Sequence, residues 1–245
     1  KNSNELENYE ISNLIFQLYN PLYADLKKKN QLDLYEKIEI PLLKVLASME
    51  IEGINLDTKF LNNLSGKTNQ KLIKIQKDIF EISGEEFNIS SPKQLGEILF
   101  EKMKVSKNPK KTKTGQYSTA EDILSKLAKD NDFVKLILKF RSVSKLLNTY
   151  IDSLPKQISK STNRIHTNFL QTVAATGRLS SVNPNLQNIP IRTESGKEIR
   201  KAFIPRNKDF FLMAADYSQI ELRVIAALSK EDNMIRSFEK NEDIH

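Results

Sequence analysis

The sequence predicts an α+β fold, mostly α: a helical arm followed by the start of an α/β module. Over most of residues 1–160, apolar side chains recur at spacings of three and four, the period of helices that bury one face. The character changes near residue 161. Arg164 to Thr172 alternates as a strand does, and Phe210-Phe211-Leu212-Met213-Ala214-Ala215 is a short continuous apolar run. No internal repeat and no low-complexity tract beyond one lysine-rich loop interrupts this order.

Taken in order, the first 34 residues read as helical and end in the polar break Lys27-Lys28-Lys29-Asn30. Pro41 is expected to open a helix carrying Leu42, Leu43, Val45, Leu46 and Met49, with Gly53 ending it. Asp57 is placed to cap the next helix. There Leu61, Leu64, Thr68, Leu72, Ile75, Ile79 and Ile82 form an amphipathic stripe, Lys67, Lys71, Lys74 and Lys77 mostly lie off it, and Gly84 stops it. Ser91-Pro92-Lys93-Gln94 is a capping box with proline at the first helical position, and its helix runs to about Met103. Residues 104–117, lysine-rich with one proline and one glycine, read as a mobile basic loop. Ser118-Thr119-Ala120-Glu121 caps another helix. A long one follows from about Phe133 to Leu154, with Phe133, Leu136, Phe140, Val143, Leu147, Tyr150 and Leu154 inward and Lys135, Lys139, Ser142 and Lys145 on another face. Thr176-Gly177-Arg178 and Asn183-Pro184-Asn185 mark irregular backbone. Phe210–Ala215 reads as a buried strand, and Ser218 to about Leu228 as a helix.

A length of 245 residues allows one large domain or two smaller ones, and an apolar share of 39% is enough for real cores. Cysteine is absent, which excludes a disulfide framework and thiolate metal sites and fits a reducing compartment. No stretch approaches the roughly 18 apolar residues of a membrane span. The chain begins with Lys1 and ends mid-pattern at His245, so it reads as a fragment. The net charge of +7 is unevenly spread: residues 1–57 carry 6 basic and 10 acidic side chains, residues 58–160 carry 20 and 11, and residues 161–245 carry 12 and 10. A basic middle segment suits a phosphate backbone, through counterion release; a solvated lysine-rich helical surface explains the same count.

Chemistry concentrates near the end. Asp216 follows the apolar run where a helix begins, so one carboxylate sits at the mouth of a strand and can hold a divalent metal against a triphosphate. A helix-dipole role explains an aspartate there equally well. Glu221 completes a capping box with Ser218. Asn185 and Asn188 suit turn formation. His166 reads as a strand residue, and a lone histidine such as His245 is more often structural than functional.

Four motifs in sequence order carry a resemblance: Thr176-Gly177-Arg178-Leu179-Ser180-Ser181, Asn185-Leu186-Gln187-Asn188-Ile189-Pro190, Asp216 to Arg223, and Asp243-Ile244-His245. Together they resemble the family A DNA polymerases of the bacterial DNA polymerase I type. The similarity is collinear from about Pro41 to the last residue. It includes Lys111-Thr112-Lys113-Thr114-Gly115 and Phe140-Arg141, with Leu147, Thr149 and Tyr150 downstream. The resemblance implies four segments: 1–34, the end of a degenerate 3′–5′ exonuclease-like domain; 35–57, a connecting helix packing on the palm; 58–160, a helical thumb; and 161–245, the first part of the palm with the start of the fingers.

It also implies template-directed addition of dNMP to a primer 3′-hydroxyl, with two Mg²⁺ ions in the complete enzyme. Asp216 would ligate both ions, and the backbone carbonyl of Tyr217 would be a second ligand. Glu221 would crowd the sugar 2′ position and exclude ribonucleotides. Gln219, Arg192 and His245 would meet the dNTP beside Glu221, with Arg223 secondary. Arg178 would test the terminal pair in the minor groove, where the acceptors are similar for every correct pair. Asn185, Gln187 and Asn188 would line template and primer. Lys110, Lys111, Lys113, Arg141 and Lys145 would grip the duplex backbone; the last two stand one helical turn apart and can meet one strand. The implied protein is a cytoplasmic, nucleoid-associated monomer with no membrane partner.

Two departures bear on this. Aligned on Gln17-Leu18, Glu7 and Ile11 occupy the exonuclease Tyr and Asp positions, which implies loss of proofreading, and Leu170 stands where a polar residue is usual. The rest of the fingers and the second catalytic aspartate do not occur before His245. The expectation is therefore a polymerase fragment inactive by itself; the alternative is a non-catalytic primer–template-binding module. An RNA polymerase is disfavoured by Glu221.

Overall fold

The computed structural model describes residues 8–191 and 193–242. Arg192, His245 and Glu7 lie outside the described residues. The chain divides into two compact units, Lys1–Arg206 and Asn207–His245.

In the first unit, helix α1 (Asn8–Lys28) ends in Lys27 and Lys28. Helix α2 (Leu32–Leu34), a π-helical turn (Tyr35–Glu39) and α3 (Ile40–Glu52) then run on without a break. The Ile40 N–H bonds five residues back to the Tyr35 carbonyl. Pro41 thus stands at the start of α3, as expected, although the helical turns ahead of it run on into that helix. It has no N–H to give, and the wider turn ahead of it places it in the first turn of α3, where none is needed.

Gly53 does end α3, with φ 60°, and a Cβ there would lie 2.5 Å from the Ile165 carbonyl oxygen and 2.7 Å from His166 Nδ1. Arg164 locks this crossing. Its Nη2 donates to Glu52 Oε1 at 2.8 Å and to the Gly53 carbonyl at 3.0 Å, and its Nη1 donates to Asn55 Oδ1 at 3.0 Å. His166 is a pinned ring: Nδ1 donates to the Glu50 carbonyl at 2.7 Å, and Nε2 meets Thr162 Oγ1 at 2.6 Å.

Strand β1 (Asn55–Leu56) leads into α4 (Thr58–Ser83). Asp57 caps α4 through the Phe60 N–H at 2.9 Å, and Gly84 closes it in the left-handed region at φ 72°. Leu61, Ile75 and Ile79 are buried as expected. At the last turn Ser83 is inside and Ile82 is half exposed, because the stripe advances by four there rather than three. Helix α5 (Pro92–Glu97) starts at the Ser91 cap and continues as a π-helical turn (Ile98–Lys102). The Gln94 side chain reaches back to the Asn88 N–H at 2.7 Å.

The expected mobile loop is, over its second half, a hairpin. Lys111 pairs with Tyr117, the Thr112 N–H donates to the Gln116 carbonyl at 2.7 Å, and the Ser118 N–H donates to the Lys110 carbonyl at 2.8 Å. Gly115, at φ 82°, makes the turn. Helix α6 (Glu121–Leu127) follows without the expected Ser118 cap: Ala120 is the capping residue and supplies no side chain. Asn131 caps α7 (Asp132–Leu146), accepting from the Val134 N–H at 3.1 Å. The long helix expected to reach Leu154 changes instead to a π-helical turn (Leu147–Ile151) and a 3₁₀ turn (Leu154–Gln157).

Strand β2 (Asn168–Leu170), shorter than the alternation implied, pairs antiparallel with β3 (Ser180–Val182). After α8 (Glu194–Arg200), β4 (Phe203–Ile204) pairs antiparallel with β1. Two cores result. One gathers Ile75, Ile79, Leu95, Leu99, Leu124, Val134 and Ile137 where α4, α5, α6 and α7 meet. The other joins Leu61, Leu147, Tyr150, Leu154, Ile165, Ile189 and Ile199. It ties the base of the two long helices to the loop after β3.

The second unit holds α9 (Ile220–Ser229) and α10 (Asp232–Glu239), with the Arg223 guanidinium 4.5 Å from the Phe238 ring centre. Phe210–Ala215 is not the buried strand expected: it pairs with no described strand, and Phe211 and Met213 are 90% and 89% exposed. A buried strand needs neighbours on both edges to take its N–H and C=O groups. The expected Ser218–Glu221 capping box is also absent. Gln219 takes the cap position at φ 50°, and the Ser218 carbonyl accepts from Arg223 Nε at 3.0 Å. No helix among the described residues is long and apolar enough to cross a membrane.

Candidate functional site

A cleft of about 1140 Å³ opens in the first unit between α7 with its continuation and the loop 183–193. Arg141 and Lys145 line one wall, and Asn185 and Asn188 line the other. These four residues, two from α7 and two from the motif 185–190, are thus brought to one place. A second cleft, of about 670 Å³, shares Arg141, Lys145 and Thr149 with the first and extends to Thr112, Gln116 and Tyr117 of the hairpin. Lys110, Lys111 and Lys113 are exposed on that hairpin. Lys111 Nζ lies 5.0 Å from the centre of the Tyr117 ring, a cation–π contact that steadies the hairpin tip.

Arg141 does more than face solvent. Its Nη1 donates to the Thr119 carbonyl at 2.5 Å and its Nη2 to Thr119 Oγ1 at 3.0 Å. It is half-buried, and burial lowers its pKa from the ordinary guanidinium value while the charge of Glu121 opposes that shift. Arg141 therefore pins the chain between hairpin and α6 onto α7. No local sequence signal announces a contact spanning 22 residues.

The loop after β3 is held from within. Asn185 Oδ1 accepts from the N–H groups of Gln187 at 3.0 Å and Asn188 at 3.2 Å, and Gln187 Oε1 accepts from the Ser181 N–H at 3.1 Å. A backbone N–H can only donate, so both carboxamide oxygens face the loop, and each side chain offers its NH₂ to a partner. Tyr150 Oη donates to the Asn188 carbonyl at 2.6 Å, and Arg200 holds the Ile189 and Pro190 carbonyls at 2.9 and 3.1 Å. Tyr150 and Arg200 were missed as site residues. Tyr150 reads as plain core from its spacing, and its hydroxyl bond crosses 38 residues. Arg178 is exposed on the connection between β2 and β3, after Gly177 at φ 76°, and lines neither cleft.

In the second unit, Asp216, Tyr217 and Glu221 are exposed, and Gln219 is partly covered. Asp216 lies four residues ahead of the first residue of α9, and Glu221 is the second residue of that helix. Among the described residues, no group of three or more His, Cys, Asp or Glu could hold a metal. One carboxylate and a neighbouring carbonyl suit a magnesium ion that brings phosphate and water ligands of its own, and do not suit a resident ion caged by protein alone.

The family model described as DNA polymerase family A matches residues 58–245. The chain belongs to DNA polymerase family A. Over 231 residues it is 47% identical to DNA polymerase I of Geobacillus stearothermophilus and 48% identical to DNA polymerase I of Bacillus subtilis (strain 168), covering 94% of this chain and 26% of each relative. DNA polymerase I of Pseudomonas aeruginosa is 48% identical over 209 residues, covering 85% of this chain and 23% of that protein. This family A chain thus spans about a quarter of the length of these relatives. Its fold matches the POL domain of Pol1 from M. smegmatis, in complex with DNA primer-template and dNTP, with a TM-score of 0.87 at 39% identity, over 94% of this chain and 40% of that one. The resemblance read from the motifs and the α+β, mostly α, fold class are both borne out.

Proposed function

We propose that this family A chain supplies the duplex grip and the first metal-binding carboxylate of a template-directed DNA polymerase. The observation that carries the reading is the convergence of Arg141, Lys145, Asn185 and Asn188 on one cleft that continues to the lysine-bearing hairpin. Cationic side chains on α7 and the hairpin neutralise phosphates and position the duplex without reading sequence. The NH₂ groups of Asn185 and Gln187 are donors, matching the purine N3 and pyrimidine O2 acceptors of the minor groove, and Arg178 adds a third donor for the terminal pair.

In the reaction, the primer 3′-oxygen bonds to the α-phosphorus of a dNTP, the bond to the bridging oxygen breaks, and pyrophosphate leaves with that electron pair. The Asp216 carboxylate and the Tyr217 carbonyl would hold magnesium, which when bound lowers the pKa of the primer hydroxyl and offsets charge at phosphorus. Glu221, on the first turn of α9, would crowd a ribose 2′-hydroxyl. Among the described residues no group of three or more His, Cys, Asp or Glu gathers to hold metal, and on this reading the 245 residues alone bind primer–template and do not extend it.

Primer extension by the full-length protein carrying these residues, with and without Asp216→Asn, tests the proposal. The variant should bind primer–template as the unaltered protein does and extend it at least a thousandfold more slowly. Extension that survives the substitution overturns the metal assignment. Absence of primer–template binding by the unaltered protein overturns the whole reading.

A further inference from the structure

Two hydroxyl groups are buried beneath the loop that carries Asn185, Gln187 and Asn188. Ser181 on β3 is fully buried, and Thr167, just ahead of β2, is 6% exposed. Their oxygens lie 2.6 Å apart. Ser181 Oγ accepts from the Leu186 N–H at 3.0 Å, and Thr167 Oγ1 lies 2.8 Å from the Pro184 carbonyl. Buried polar atoms are costly unless paired, and these two pair with each other, with the loop, and, for Thr167, with the Val182 carbonyl at 3.1 Å.

Counting protons leaves two arrangements of the pair. The Leu186 N–H can only donate and the Pro184 carbonyl can only accept. With one proton on each hydroxyl, either Ser181 O–H donates to Thr167 Oγ1 and Thr167 O–H to the Pro184 carbonyl at 2.8 Å, or Thr167 O–H donates to Ser181 Oγ and Ser181 O–H to the Pro184 carbonyl at 3.3 Å; in both, the Leu186 N–H is linked through the hydroxyl pair to the Pro184 oxygen. Such a chain polarises along its length. It closes the segment Pro184–Leu186 onto the β2–β3 pair from beneath. The Ser181 N–H, on the same residue, holds the Gln187 carboxamide oxygen.

We infer that Thr167 and Ser181 are positioning residues: their hydroxyl relay sets the height and the donor-outward orientation of the Asn185–Asn188 edge that meets the duplex next to the primer end. The inference rests on the functional reading above. Neither residue touches DNA. They act through Pro184, Leu186 and Gln187. Loss of the relay leaves the lysine contacts to phosphate intact and loosens only the contacts to base edges.

The test uses the full-length protein and a labelled hairpin primer–template with a recessed 3′ end. Thr167→Val keeps shape and removes the hydroxyl; Ser181→Ala removes the other; Thr167→Ser restores a hydroxyl. Thr167→Val and Ser181→Ala should weaken binding about tenfold. The slope of log K against log salt should stay unchanged, because that slope counts phosphate contacts. The preference for extending matched over mismatched 3′ ends should fall by a similar factor. Thr167→Ser should recover most of both. A purely structural role would lower the active fraction and leave the match preference where it was. If one variant does not fold, the others decide. The relay is wrong if Ser181→Ala keeps the match preference, or if Thr167→Ser loses as much as Thr167→Val. If the unaltered protein binds no primer–template, the functional reading falls, and this inference with it.

Discussion

Replacing Arg141 by lysine separates charge from geometry in the cleft. The guanidinium makes two bonds to one residue, through Nη1 to the Thr119 carbonyl and Nη2 to Thr119 Oγ1. A lysine keeps the charge but presents a point donor on a flexible stem and cannot reproduce the fork. One of the two bonds is then lost, worth about 1.5–3 kcal/mol for a charged donor. That corresponds to about a ten- to hundredfold rise in the opening equilibrium of the segment Thr119 anchors. The hairpin is tied to this segment through the Ser118 N–H and the Lys110 carbonyl, 2.8 Å apart. Hydrogen exchange of the Ser118 amide should therefore accelerate by the same factor in Arg141→Lys, while exchange in the α4–α7 core is unchanged. The salt slope of duplex binding should stay the same, since no positive charge is removed. Unchanged Ser118 exchange would refute the pinning role. A shallower salt slope would show that Arg141 acts through its reach to phosphate and not through Thr119.

Three further substitutions have defined outcomes. Glu121→Gln removes a negative charge from the wall of the larger cleft, next to Arg141; duplex affinity at low salt should rise about two- to fivefold and the gain should fade near 0.5 M salt, read by anisotropy titration. Gly53→Ala forces a Cβ to within 2.5 Å of the Ile165 carbonyl oxygen at φ 60°; a loss of about 2–4 kcal/mol should lower the melting temperature by about 5–10 °C in a calorimetric scan. Glu221→Ala in the full-length protein should raise incorporation of ribonucleotides relative to deoxyribonucleotides about tenfold or more, and an unchanged ratio in single-nucleotide extension would remove Glu221 from the sugar contact.

Much of this was legible where a signal is local. Asp57, Ser91, Gly84 and Gly53 act as their residue types require, because a cap or a positive φ is decided within a turn of chain. The stripe from Leu61 to Ile79 was readable because α4 packs along one face only. Features that depend on distant partners were not readable. Ser118 and Ser218 head capping-box patterns, yet the Arg141 fork claims the first segment and a left-handed Gln219 opens α9 in the second. The π-helical turns at Tyr35–Glu39, Ile98–Lys102 and Leu147–Ile151 insert one residue into a helical repeat, which a spacing of three and four does not register. At the site, the motifs named Asn185 and Gln187, but not that both oxygens turn inward. That follows from which backbone N–H groups lie nearby.

The open run from Phe210 to Ala215 also governs how the chain behaves in a tube. It is six residues without charge, proline or glycine, and two of its largest side chains are almost wholly in water. Segments of that composition associate edge to edge with their own copies and grow into cross-β assemblies. Purified in isolation, the chain should cloud as its concentration rises, and a charged residue in place of Phe211 should keep it clear.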